Sequence, residues 1–238
     1  MEWGGPAGPF YLVVYRKLDG SPPVALGPGT APKFSPDGTT IAAAILTRPP
    51  QVALHPIGTG ESRRLPVGDL VNLDAVRWFP DGKHLLLIGA TEGQSLRTFE
   101  MDLEGGKPQP LGPPDFTGAA VAKDGKRIAG RNASGEVVVF DGETQKAQVV
   151  PAIGPQEGFD KWTEDGKALL VSSGTPSAAR MYRVEVATGK RILLQTVELS
   201  EKAGSVLKLR LQYAETSKAY VYDTRRILGT LYVVEGLE

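Results

Sequence analysis

A six-residue segment ending in Asp-Gly recurs four times at a nearly constant interval, and that interval constrains the fold more than any other feature. The copies are Lys33-Phe-Ser-Pro-Asp-Gly38, Arg77-Trp-Phe-Pro-Asp-Gly82, Ala120-Val-Ala-Lys-Asp-Gly125 and Lys161-Trp-Thr-Glu-Asp-Gly166. Their glycines stand 44, 43 and 41 residues apart (38 to 82, 82 to 125, 125 to 166). A fifth copy, Gln212-Tyr-Ala-Glu-Thr-Ser217, lacks the Asp-Gly but keeps the aromatic and a following lysine, Lys218. A period of about 20–50 residues marks a repeat architecture, in which each unit buries its apolar surface against its neighbours.

Each copy reads as a hairpin. Glycine takes positive φ without a Cβ clash, and a preceding proline presets its own φ. A short apolar run follows every turn: Ile41–Leu46, Leu85–Ile88, Ile128–Ala129, Leu169–Val171 and Ala219–Tyr222. Runs this short, bounded by turn residues, fit buried strands. A third strand comes next: Val52–Leu54, Leu96–Phe99, Val137–Phe140, Met181–Val184 and Leu231–Val234. A second glycine turn leads into a fourth, shorter strand such as Arg63–Leu65 or Arg191–Leu194. Four strands every 41 to 44 residues make the blade of a β-propeller. Blades stacked on one another cover both faces of each sheet, which accounts for strands that are apolar on both sides.

The expected fold is therefore all-β, a β-propeller of four-stranded antiparallel blades, about five to six in number. A flexible segment, 1–9, precedes a single propeller domain, 10–238. Its repeats lie near 10–27, 32–68, 75–112, 118–153, 159–198 and 206–235. The ends do not match: the first repeat supplies only third and fourth strands, and the last stops after its third. The expected 21 strands exceed the roughly 20 of a five-blade ring and fall short of the roughly 24 of a six-blade ring. Such a ring is incomplete or closes imperfectly between its ends.

Composition agrees and excludes several classes. Glycine (29) and proline (19) make up a fifth of the 238 residues, as many tight turns require. With 27 basic and 27 acidic residues, no overall field draws the chain to nucleic acid or anionic lipid. The absence of cysteine excludes disulfides and thiolate metal sites. No apolar run reaches the ~20 residues of a membrane helix, so no membrane insertion is expected of this chain. The N-terminus lacks the pattern of a signal peptide. The expected location is periplasmic if the chain belongs to a membrane-anchored parent, and otherwise cytoplasmic.

Phe34-Ser-Pro-Asp-Gly-Thr-Thr-Ile41 and Trp78-Phe-Pro-Asp-Gly-Lys-His-Leu85 resemble the WD-repeat-like motif of TolB-type propellers, which reads aromatic-Ser-Pro-Asp-Gly-Lys-x-Ile. The resemblance spans Phe10 to Leu237. It implies a propeller whose relatives range from periplasmic scaffolds to peptidase accessory domains. The ending Arg225–Leu237 is similar to the C-termini of large bacterial membrane proteins. In those, a eukaryotic-like Ser/Thr kinase or a winged-helix domain precedes a membrane helix and a C-terminal propeller. That similarity implies a periplasmic sensor or interaction domain. No kinase motif occurs in the chain, so kinase activity does not carry over.

Few residues offer chemistry. His55 and His84 read as surface histidines, and no His-x-x-x-His pair suggests zinc. No Gly-x-Ser-x-Gly elbow is present. Gly27-Pro-Gly29 and Gly58-Thr-Gly60 read as turns, because neither completes a dinucleotide fingerprint. Asp37, Asp81, Asp124 and Asp165 lack the alternating ligands of a calcium loop and read as turn residues. Asn132-Ala-Ser134 matches the glycosylation tripeptide, which is common by chance. No cofactor is expected. The one repeated pattern with binding potential is a basic residue before the aromatic: Lys33, Arg77 and Lys161. The aromatics are expected to pack between blades. The basic residues either line a central channel and attract an anionic ligand, or lie along aromatic rings and solvate a blade edge. Between blades, Asp69, Asp74, Asp115, Glu157, Asp160, Glu198 and Glu201 would form a mildly acidic rim.

Three functions compete. The first is a non-catalytic scaffold binding a protein, peptide or glycan at its loop face, as the sensor part of a bacterial envelope or signalling protein. The second is a gating propeller of a serine peptidase or other hydrolase whose catalytic domain lies elsewhere. The third is a lyase- or lactonase-like enzyme with a channel metal, for which two poorly placed histidines are a meagre ligand set.

Overall fold

The structure is a computed structural model. It describes residues 11–17, 19–104, 106–175 and 178–198, with backbone alone at 160, 205–214 and 219–227. All regular structure among these residues is β-strand, so no described helix is long and apolar enough to cross a membrane. The chain divides into two compact units, Met1–Val150 and Pro151–Glu238.

In the first unit, β1 (Leu12–Tyr15) and β2 (Val24–Pro28) form a two-stranded antiparallel sheet. Three four-stranded antiparallel sheets follow. The first contains β3 (Thr30–Phe34), β4 (Thr40–Ile45), β5 (Gln51–Pro56) and β6 (Arg63–Pro66). The next contains β7 (Leu70–Trp78), β8 (His84–Thr91), β9 (Arg97–Asp102) and β10 (Gln109–Pro110). The last contains β11 (Thr117–Val121), β12 (Arg127–Arg131), β13 (Val137–Asp141) and β14 (Lys146–Val149). The second unit holds one four-stranded sheet, β15 (Gly158–Trp162), β16 (Ala168–Thr175), β17 (Ala178–Glu185) and β18 (Arg191–Glu198), and the pair β19 (Ser205–Ala214) and β20 (Ala219–Ile227). Strands lie in chain order within every sheet, as successive hairpins require.

The Asp-Gly turns close alike in all four large sheets. The amides of Gly38, Gly82, Gly125 and Gly166 donate to the carbonyls of Ser35, Phe79, Ala122 and Thr163 at 2.9–3.1 Å. Each glycine has φ between 65° and 73°, where a Cβ would be strained. The aspartate before it accepts the amide two residues on: Asp37 from Thr39 at 3.0 Å, Asp81 from Lys83 at 2.9 Å, Asp124 from Lys126 at 2.9 Å and Asp165 from Lys167 at 3.1 Å. The register beyond the turn is invariant: Phe34 faces Ile41, Trp78 Leu85, Val121 Ile128 and Trp162 Leu169. Tyr213 faces Tyr220 in the same way. The fifth copy thus keeps the register without the Asp-Gly.

Second strands are buried on both faces. In β8, Leu85 and Leu87 join a core with Val52, Leu54, Val76 and Phe99, while Leu86 and Ile88 join Phe116, Ile128 and Phe140. Alternate side chains point to opposite faces, so the β7–β10 sheet is shared between its two neighbours in the first unit. In β4 the same division sends Ala42 and Ala44 one way and Ile41 and Ala43 the other, the latter against Val13 of β1.

Among the described residues, which form 20 strands, four four-stranded sheets are complete and two sheets are two-stranded, where five to six blades and 21 strands are expected of the whole chain. The third strand expected at Leu231–Val234, the segment 1–9, Lys218 and Glu201 lie outside the described residues. Gly27 belongs to β2, and Gly29 sits between β2 and β3, where they permit close packing. A Cβ on Gly27 would stand 2.6 Å from His55 Cε1, and one on Gly29 would stand 2.6 Å from the Ala43 Cβ.

Candidate functional site

The three basic residues occupy one register position in three sheets. Lys33 faces Ala42, Arg77 faces Leu86 and Lys161 faces Leu170; the third copy has Ala120 facing Ala129 there. Each precedes the aromatic by one residue and so points to the opposite face of its strand. Lys33 and Arg77 are half-buried, and Lys161 is exposed. Lys33 and Arg77 lie on adjacent strands of the first unit, β3 and β7, joined where Trp78 Nε1 donates to the Lys33 carbonyl at 2.9 Å. Arg77 Nη1 donates to the Val76 carbonyl at 3.0 Å. Lys161 belongs to the second unit.

A feature that sequence reading missed frames these positions. Each of these first strands carries an extra residue over the partner stretch it faces, between Thr30 and Lys33, Leu73 and Ala75, Gly118 and Ala120, and Phe159 and Lys161, and β7 carries a second between Leu70 and Asn72. Such a bulge bends the strand and re-aims the side chains beside it. It also relocates two acidic residues expected between blades. Asp74 and Asp160 are strand residues at bulges, because the extra residue lengthens the strand past the loop. Pro32, which cannot donate to a ladder, is a sequence signal for the first bulge; the others carry no local mark.

The remaining rim acids have separate roles. Asp69 and Asp115 lie in turns, and Glu198 ends β18. Glu157 is committed to the fold. It accepts from Arg191 Nη2 at 2.7 Å and from the Gly154 amide at 2.9 Å, and the Arg191 guanidinium lies 4.2 Å from the centre of the Tyr182 ring. The Arg191 hydrogen bonds hold the Glu157 carboxyl below its ordinary pKa, against the opposing effect of burial.

The turn aspartates are hubs. The Ser35 hydroxyl donates to Asp37 at 2.5 Å and the Thr163 hydroxyl to Asp165 at 2.6 Å. These bonds, first among several, lower both carboxyl pKa values. At Asp81 and Asp124 burial raises the pKa but is outweighed by backbone amides and a basic side chain. That side chain is His84 at 2.6 Å from Asp81 and Arg127 at 2.7 Å from Asp124. The hydrogen bond to Asp81 raises the His84 pKa, with burial opposing it.

His55 corrects an expectation. It is 1% exposed, with Nδ1 2.8 Å from Ser62 Oγ and Nε2 3.1 Å from the Pro28 carbonyl. It is a buried link between β5 and β2, made possible by the missing side chain at Gly27. Thr98, fully buried, links β9 to β11: its hydroxyl donates to the Phe116 carbonyl at 2.8 Å and accepts from the Gly118 amide at 2.6 Å. Asn132 anchors the β12–β13 turn, its side chain bonded to Glu136 through Nδ2 and Oδ1. Phe34 is the second correction. It is 57% exposed, whereas Trp162 is 7% exposed and Trp78 packs on the core of its unit. Before β3 the described residues offer only the two-stranded sheet, and Phe34 meets Tyr15 edge-on at 6.4 Å.

No protein-family model and no curated protein matches the chain. Solved structures do. TolB from Acinetobacter baumannii superposes with a TM-score of 0.62 at 20% identity, over 82% of this chain and 51% of that one. A chain of the nidogen/laminin complex gives 0.56 at 15% identity, over 78% and 71%. Puromycin hydrolase, in its S511A mutant complexed with PGG, gives 0.53 at 15% identity, over 84% and 34%. The chain thus spans about half the length of the Acinetobacter TolB. Proteins with such different names share the arrangement, so at these identities the likeness speaks to fold alone. Together with the hairpin repeat and its stacked sheets, it shows that this chain has the fold of a TolB-type β-propeller.

Proposed function

We propose that the chain is a non-catalytic binding propeller with a protein partner, acting as the sensor or scaffold part of a bacterial envelope or signalling protein. One observation carries the reading: among the described residues, the turn aspartates and both histidines are occupied in building the fold. Asp37, Asp81, Asp124 and Asp165 hold their own turns. His55 is buried between strands, and His84 is paired with Asp81. The repeated basic position is the pattern that suits recognition: in the first unit Lys33 and Arg77 hold it on contacting strands, each in a strand that carries a bulge. Two cations on neighbouring strands suit an acidic segment of a protein. The reading of a peptidase-gating propeller has no residue in its favour.

Affinity capture from the source organism tests this. The wild-type chain should retain a protein that the Lys33→Glu, Arg77→Glu double variant loses, while both melt at similar temperatures. The proposal fails if the charge reversal leaves the captured set unchanged, or if purified chain turns over a substrate. Sequencing the DNA upstream of Met1 tests the envelope assignment: an in-frame membrane helix is expected.

A further inference from the structure

The four complete sheets end in very different last strands. β6 has four residues, including exposed Arg63 and Arg64 and a closing Pro66. β10 has two, the second a proline. β14 has four and begins with Lys146. β18 has eight residues, Arg191-Ile-Leu-Leu-Gln-Thr-Val-Glu198, with no proline and no lysine. Ile192 and Leu193 on it are 40% and 53% exposed. Among the described residues β18 pairs only with β17, so its other edge presents backbone donors and acceptors. Proteins guard sheet edges by shortness, proline and lysine. Three sheets of this chain use these devices, and the β15–β18 sheet does not.

We infer that β18 is a strand-pairing surface whose partner is the β18 of a second copy, joined antiparallel about a two-fold axis. The sequence of the strand is complementary to itself in that orientation. With the axis between Leu194 and Gln195, Arg191 faces the partner copy's Glu198, Ile192 faces Val197 and Leu193 faces Thr196. Opposite charges meet at both ends and apolar or β-branched residues meet between them, the pairs that stabilise an antiparallel ladder. In the reverse, parallel orientation like charges would stack. Arg191 is already held by Glu157 and the Tyr182 ring, so the end contact adds Glu198 to an existing ion pair. The one irregularity of the strand, a bulge at Leu194 opposite the Met181/Tyr182 step, falls at the axis. The straight segment 191–193 then pairs with segment 196–198 of the partner copy across it. A two-fold pairing is self-limiting, since each copy has one such edge among its complete sheets and the contact closes on itself.

Sedimentation velocity of the whole chain, up to roughly 100 µM, tests the pairing through its concentration dependence. A monomer–dimer equilibrium is expected for the wild type. Leu193→Lys, at an exposed position, should return the chain to monomer with an unchanged melting temperature. Val24→Lys, at another exposed apolar residue, should leave the dimer intact. Because the chain has no cysteine, the register can be read directly: Leu193→Cys mixed with Thr196→Cys should give a disulfide-linked pair under mild oxidation. A wild-type chain that stays monomeric throughout overturns the inference, as does a dimer that survives Leu193→Lys or fails to cross-link at these positions.

Discussion

Trp78 and Phe34 stand at the same place in successive repeats, one residue after a basic side chain and seven before the residue they face. Their surroundings differ. Trp78 packs on the shared core, and its indole N–H reaches the carbonyl of Lys33 on the preceding first strand. Phe34 has the two-stranded β1–β2 sheet before it and stays 57% exposed. The repeat places an aromatic; the neighbouring sheet decides whether that aromatic is buried. The same contrast holds at the turns, where Arg127 and His84 fill equivalent positions beside Asp124 and Asp81.

The comparison can be broken most forcefully in the shared core. Leu87→Ala removes a side chain that is 0% exposed, and a loss of about 2–5 kcal/mol is expected in urea unfolding. Phe34→Ala, at the exposed equivalent of a core aromatic, should cost less than about 0.5 kcal/mol beyond its contact with Tyr15. Similar losses for both would mean that Phe34 is covered after all. Trp78→Phe keeps an aromatic ring but removes part of the indole and the bond to Lys33, so at least about 0.5–1.5 kcal/mol should be lost. The reciprocal Phe34→Trp should gain nothing, because β1–β2 offers no matching first-strand carbonyl among the described residues. A gain there equal to the Trp78→Phe loss would contradict the account of why these two positions differ.

The smallest expected effect separates His84 from Arg127. The folded-state pKa of His84 is raised, so its contribution is complete below the unfolded value of about 6.5. It is lost as pH rises through the folded value. Asp81 is shifted down, so its contribution is present above about 3.9 and lost as pH falls through its folded value. Wild-type stability should therefore decline slightly between about pH 6 and 8, where histidine changes charge. His84→Gln should remove that decline, and His84→Arg, which copies the Arg127 arrangement, should remove it while keeping the ion pair. Urea midpoints across this range would show it; a decline that persists in both variants would assign it elsewhere.

Much of the architecture was legible because turns and strand polarity are local. The Asp-Gly hairpins, the two-faced second strands and the register across each turn follow from glycine's φ, carboxylate-to-amide bonds and alternation. Tyr213 facing Tyr220 shows how far the periodicity reaches, since that register persists where Asp-Gly is lost. The candidate site was legible only as a position. Lys33, Arg77 and Lys161 could be aligned from the repeat, but the bulges beside them could not, because an unpaired residue is defined only by the strand opposite. His55 and Thr98 escaped for the same reason: a buried histidine and a buried threonine resemble exposed ones until a partner, Pro28 or Phe116, is brought to them.

The sequence by itself determined the repeat, the hairpin chemistry and the apolar character of both sides of the second strands, because each depends on residues within a few positions of one another. Only the tertiary structure decided which equivalent positions are buried, which acids serve turns or ion pairs, and how long each sheet's last strand is. Those outcomes depend on a neighbouring sheet, and the same local motif meets a different neighbour at each end of the repeat.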